Sequence, residues 1–137
     1  MEAKKRVLFL CTGNSARSQM AEGLLRQMAG DRFEVFSAGT EPKGLHPQTI
    51  VAMKNVDIDV SQQRSKPVSE FDGEKFDFVV TVCDRAKDNC PVFPGSTPIH
   101  WEFDDPAAAP SDLQAKVFSQ VRDEIRRKLQ MFLLTLR

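Results

Sequence analysis

A chain of 137 residues, 41% of them hydrophobic, can bury one core without disulfide or metal staples. Basic and acidic residues both number 19, a zero formal charge that argues against a general nucleic-acid or membrane-surface binder. No run approaches the roughly 18 apolar residues of a membrane span, and the basic start from Met1 to Arg6 leads into too short an apolar stretch for a secretory leader. The expectation is a single domain over residues 1–137, cytoplasmic and monomeric. Three cysteines, an odd number in a reducing compartment, point to reactivity rather than a disulfide framework.

In chain order, Val7-Leu8-Phe9-Leu10 reads as a buried strand that runs directly into Cys11. Small and polar residues follow, Thr12, Gly13, Asn14, Ser15 and Ala16, before Arg17 and a helix expected from Ser18 to Ala29. Backbone N–H groups at a helix start, with the helix dipole behind them, bind a tetrahedral oxyanion. The same field predicts a depressed pKa for Cys11, making it a thiolate nucleophile. Gly13 is expected to permit the turn, Asn14 and Ser15 to brace the loop, and Arg17 to present a planar fork to two anion oxygens. Ser18 is placed to donate a hydrogen bond to the sulfur. A cysteine and an arginine at this spacing mean little alone. The strand before and the helix after outweigh a merely structural cysteine in a βα turn.

A second strand, Phe33 to Ala38, stops at Gly39 and completes a parallel βαβ unit. A loop from Thr40 to Leu45 leads to a short helix from Pro47 to about Asn55, with His46 as part of the lead-in. Residues Asp57 to Ser69 read as a solvated loop, in which Arg64 or Lys66 could add positive potential near the site. The third strand, Phe76 to Val82, delivers Cys83 to the carboxyl edge of the sheet, where ligands bind in parallel α/β folds.

Cys90 lies seven positions on. Were the segment between them helical, the two cysteines would stand about 10 Å apart, beyond the reach of a disulfide. The polar segment Asp84 to Asn89 could unwind or loop out cheaply, so a redox switch is a serious reading. A fourth strand, Thr97 to His100, precedes Trp101-Glu102-Phe103-Asp104-Asp105-Pro106. Asp105, held extended by the proline, could be kept protonated by Trp101 and Phe103 and donate to a leaving oxygen. Ser111 is expected to cap a last helix to about Leu134, apolar at Leu113, Val117, Val121, Ile125 and Leu129. Arg122, Asp123, Arg126 and Lys128 should form its solvated side.

The run from Cys11 to Ser18 resembles the anion loop of the low-molecular-weight protein tyrosine phosphatase fold. Met20-Ala21-Glu22-Gly23, Ser37-Ala38-Gly39, Val80 to Cys83, Asn89-Cys90-Pro91 and His100 to Ala107 resemble its arsenate reductase branch, over nearly the whole chain. The resemblance implies an α/β fold with a four-stranded parallel sheet flanked by helices, and arsenate reduction coupled to thioredoxin with no bound redox cofactor. It implies arsenate on the loop amides and Arg17, with phosphate or sulfate as competing oxyanions. It also implies Cys11 as nucleophile, Asp105 as proton donor, a Cys11–Cys83 disulfide intermediate and a final Cys83–Cys90 disulfide. Thioredoxin is favoured over glutaredoxin because an intramolecular disulfide is its kind of substrate.

Some members have a further cysteine where Ala16 stands, which this scheme does not need. Some hold a potassium ion near Asn14, Glu22 and Ser37 with a carboxylate where this chain has Lys66. That argues against the ion, and Lys66 could supply the charge itself. Ala107, in place of the tyrosine of the phosphatase branch, argues against phosphotyrosine. The alternatives are a phosphatase working through a Cys11 phosphoenzyme and a thiol-based sensor that oxidises without turnover.

Overall fold

The computed structural model describes residues 3–83, 88–91 and 93–136. In order they form β1 (Lys5–Cys11), α1 (Arg17–Ala29), β2 (Phe33–Gly39), α2 (Pro47–Lys54), β3 (Phe78–Thr81), β4 (Thr97–His100) and α3 (Gln114–Thr135), with short 3-10 turns at Val68–Phe71 and Pro106–Ala108. The strands make one parallel sheet in the order β2-β1-β3-β4. The segment expected to loop out between Cys83 and Cys90 falls largely outside the described residues, which omit positions 84–87.

The central strand explains the arrangement. Val7 to Cys11 are all buried, as expected of a strand covered on both faces. On one face Phe132 of α3 packs against Phe33, Phe78 and Trp101, and Trp101 meets Phe9. On the other, Phe36, Phe71 and Phe76 meet edge to face, and the Arg6 guanidinium lies 4.8 Å from the rings of Phe36 and Phe76. Two aromatic clusters thus clamp the sheet, leaving the carboxyl ends of β1 and β3 to carry Cys11 and Cys83.

Three expectations are corrected. β3 is shorter than Phe76 to Val82 because Phe76 joins the aromatic cluster and Asp77 Oδ2 accepts from Arg6 N at 2.7 Å. Ser111 lies in a turn ahead of α3, which starts at Gln114 with no side-chain cap. Arg122, assigned to the solvated side, is buried and donates from Nη1 to Ala52 O at 2.8 Å. Ala52 lies in the last turn of α2, where helix carbonyls lack partners within their own helix.

Candidate active site

β1 ends on Cys11, and residues 12–16 carry the chain over the carboxyl edge of the sheet to α1. Asn14 is the hinge of this loop, with φ at 46° in the left-handed region that asparagine tolerates. Its buried side chain donates to Ser18 Oγ at 2.8 Å and Ser37 Oγ at 3.0 Å, and Oδ1 accepts from Lys66 N at 2.9 Å. The glycine that the loop requires is Gly39 rather than Gly13. A Cβ on Gly39 would stand 2.6 Å from Thr12 O, whereas one on Gly13 would meet nothing closer than 3.4 Å.

The Cys11 sulfur lies 2.8 Å from Ser18 Oγ and accepts from Asn14 N at 3.2 Å. Since Ser18 Oγ accepts from Asn14, its own proton is free for the sulfur. The environment nevertheless differs from the expected one. Burial of Cys11 pushes its thiol up, outweighing the downward pull of the Ser18 hydrogen bonds and of Arg17, with Cys83 adding a further small upward push. The sequence signalled the stabilising groups but not the depth of the sulfur. Ser18→Ala is expected to raise the midpoint of Cys11 ionisation, measured as the pH dependence of its alkylation rate. A lower midpoint would contradict the role of this hydroxyl.

Cys11, Thr12, Gly13, Ser15, Ala16, Arg17, Cys83 and Asp105 line one cavity of about 440 Å³. Asn14 and Ser18 sit behind it, both fully buried. Cys83 Sγ is 3.3 Å from Thr12 Oγ1, so the second thiol is bonded to the residue that follows the first. Arg17 Nη1 donates to Phe103 O at 3.2 Å and Nη2 lies 3.8 Å from Asp105 Oδ2. Asp105 is corrected in its surroundings. Its carboxylate is half exposed and accepts from Ala107 N at 3.0 Å, while Trp101 turns away onto Phe9 and Phe132. Cys90 is not in this cavity. It lines a separate one of about 520 Å³ with Phe93, Ile99 and His100, and burial pushes its thiol up.

Behind the loop, Glu22 accepts from Ser37 Oγ at 2.5 Å and from Arg26 at 2.7 Å, with Lys66 Nζ 3.8 Å away. Lys66 is buried and donates to Arg64 O at 3.0 Å, so it is not part of a solvated loop. Arg64 pairs with Glu70 and is absent from the cavity lining. Beside Asn14, Glu22 and Ser37, where some relatives are expected to hold potassium, the Lys66 amine stands 3.8 Å from Glu22 Oε1, with burial pushing its pKa down and Glu22 pulling it up. His46 accepts from Gln48 N at the start of α2 and packs on Phe118, a structural place as expected. Sequence reasoning missed Lys43, Glu102 and Asp104, which also line the Cys11 cavity. Glu102 and Asp104 come to the rim with their sequence neighbour Asp105, a signal the chain did offer, whereas Lys43 is brought there by the fold.

A strand-end thiol, a loop of small residues and an arginine at the helix start define a phosphatase-type anion loop. A family model for low molecular weight phosphotyrosine protein phosphatase matches residues 6–137, and the chain belongs to that family. Within it, the chain is 47% identical over 136 residues to an arsenate reductase of Oceanobacillus iheyensis, covering 97% of this chain and 98% of that one. A solved arsenate reductase in a phosphate-binding state superposes with a TM-score of 0.79 at 30% identity, over 97% and 99% of the two chains. A thioredoxin-dependent arsenate reductase of Corynebacterium glutamicum gives 0.74 at 29% identity, over 98% of this chain and 64% of that one. Among the described residues, no helix is long and apolar enough to cross a membrane.

Proposed function

We propose that this protein reduces arsenate to arsenite by passing oxidation along three thiols. Arsenate binds the loop amides and Arg17, and the Cys11 thiolate attacks arsenic. A sulfur–arsenic bond forms, and an oxygen leaves as water on a proton from Asp105. The Cys83 sulfur then attacks the Cys11 sulfur. A disulfide forms, the sulfur–arsenic bond breaks, and its electron pair stays on arsenic, which departs as arsenite. Cys90 attacks Cys83, freeing Cys11 and leaving a Cys83–Cys90 disulfide for thioredoxin, which supplies two electrons and two protons.

The observation that carries this reading is Cys83 in the Cys11 cavity, its sulfur held by Thr12. A phosphatase working through a Cys11 phosphoenzyme uses the same loop but gives Cys83 no task. The names of the relatives support arsenate as substrate, and the Corynebacterium protein supports thioredoxin as donor. The test is arsenate-dependent NADPH oxidation with thioredoxin and thioredoxin reductase. Sustained oxidation is expected. A single stoichiometric burst would favour a sensor, and phosphoester hydrolysis without NADPH use a phosphatase.

The Lys66 ammonium does for Glu22 what a bound cation would otherwise do. Turnover is therefore expected to be equal in potassium and choline salts of the same ionic strength. A rate that rises with potassium would contradict this.

A further inference from the structure

Every carbonyl of the anion loop accepts from a donor outside the loop or in the helix that follows it. Cys11 O accepts from Thr40 N at 3.3 Å, Thr12 O from Glu41 N at 2.8 Å and Ala16 O from Met20 N at 2.8 Å. Gly13 O accepts from Lys43 N at 2.9 Å and Ser65 Oγ at 3.1 Å, and Asn14 O from Gln19 Nε2 at 3.0 Å. Ser15 O takes two, from His46 N at 3.0 Å and Thr49 Oγ1 at 2.7 Å. Of these donor residues only Lys43 lines the cavity.

In a trans peptide the C=O and the following N–H point in opposite directions. A carbonyl held back therefore turns the next N–H forward. The Gly13–Asn14 peptide follows this rule, for Gly13 O is held by Lys43 N and Ser65 Oγ, and Asn14 N donates to Cys11 Sγ at 3.2 Å.

We infer that Thr49 is a positioning residue for oxyanion binding, its hydroxyl fixing the Ser15–Ala16 peptide so that the Ala16 N–H faces the anion. The inference rests on the oxyanion reading of the loop and deepens it. Thr49 is fully buried in the first turns of α2. As the third residue of α2 it has no preceding helical turn to bond, and its hydroxyl reaches the loop instead. Without it a single backbone donor holds Ser15 O. The peptide gains freedom to rotate, and a carbonyl turned forward would set its lone pairs against the bound anion.

The experiment compares wild type, Thr49→Val and Thr49→Ser. Alkylation of Cys11 by iodoacetamide is followed by peptide mass spectrometry at increasing inorganic phosphate. Valine keeps the shape and the burial, and serine keeps the hydroxyl. The phosphate concentration for half-protection is expected to rise about three- to tenfold in Thr49→Val, the loss of one hydrogen bond. It should return close to wild type in Thr49→Ser, and the alkylation rate without phosphate should be the same in all three. Wild-type protection in Thr49→Val would overturn the inference, as would equal losses in both variants, which would mark a packing effect. A wild type that phosphate does not protect would overturn the oxyanion reading, and this inference with it.

Discussion

Cys11→Ser is expected to lower arsenate turnover by about three orders of magnitude or more, while phosphate binding survives. The oxygen would occupy the place of the sulfur, beside Ser18 Oγ and Asn14 N. A serine hydroxyl, however, ionises far less readily than a thiol, and neither histidine of the chain lines the cavity to act as a base for it. Arg17 and the loop amides are untouched by the change, so the anion site keeps its donors. Steady-state turnover and phosphate calorimetry on the same preparation separate the two effects. Turnover within tenfold of wild type would remove Cys11 from the chemistry, and loss of phosphate binding would mean that the substitution had disturbed the loop itself.

The second large effect is expected at Cys90. Cys90→Ser should release about one arsenite per protein molecule and then stop, because the relay is left at Cys11–Cys83. Burial decides this outcome. Cys11 and Cys83 are 2% and 7% exposed, whereas Cys90 is only partly buried. A protein reductant needs an accessible disulfide, and the first disulfide is not one. Arsenite released against protein consumed measures the yield. Continued turnover with thioredoxin would show that the third thiol is dispensable.

The readable parts of this chain were those set by local pattern. The strand into Cys11, the helix expected from Ser18 and found from Arg17, and Pro47 at the start of α2 follow from residues next to one another in sequence, while the four-stranded parallel sheet follows from the family resemblance. What stayed hidden depends on partners far along the chain. Lys66 sits in a polar run but is buried against Glu22 and, through its N–H, against Asn14, 52 positions away. Arg122 reads as the polar side of a helix until the end of α2 arrives with Ala52 O. Asp105 is expected in apolar company, yet Trp101 turns into the core, and although Phe103 lines the same cavity the carboxylate stands half exposed at its rim. Thr49 carries no mark in the sequence, since its partner Ser15 lies 34 positions earlier. Local pattern thus placed Cys11 at the strand end and the loop that follows it. The depth of the sulfur and the donors behind the loop come from tertiary packing.

The most direct test of the three-thiol account is a disulfide map after one equivalent of arsenate, with no thioredoxin present. Wild type is expected to show Cys83 joined to Cys90 with Cys11 free, and Cys90→Ser to show Cys11 joined to Cys83. Three free thiols after arsenite release, or a Cys11–Cys90 bond in wild type, would contradict the relay.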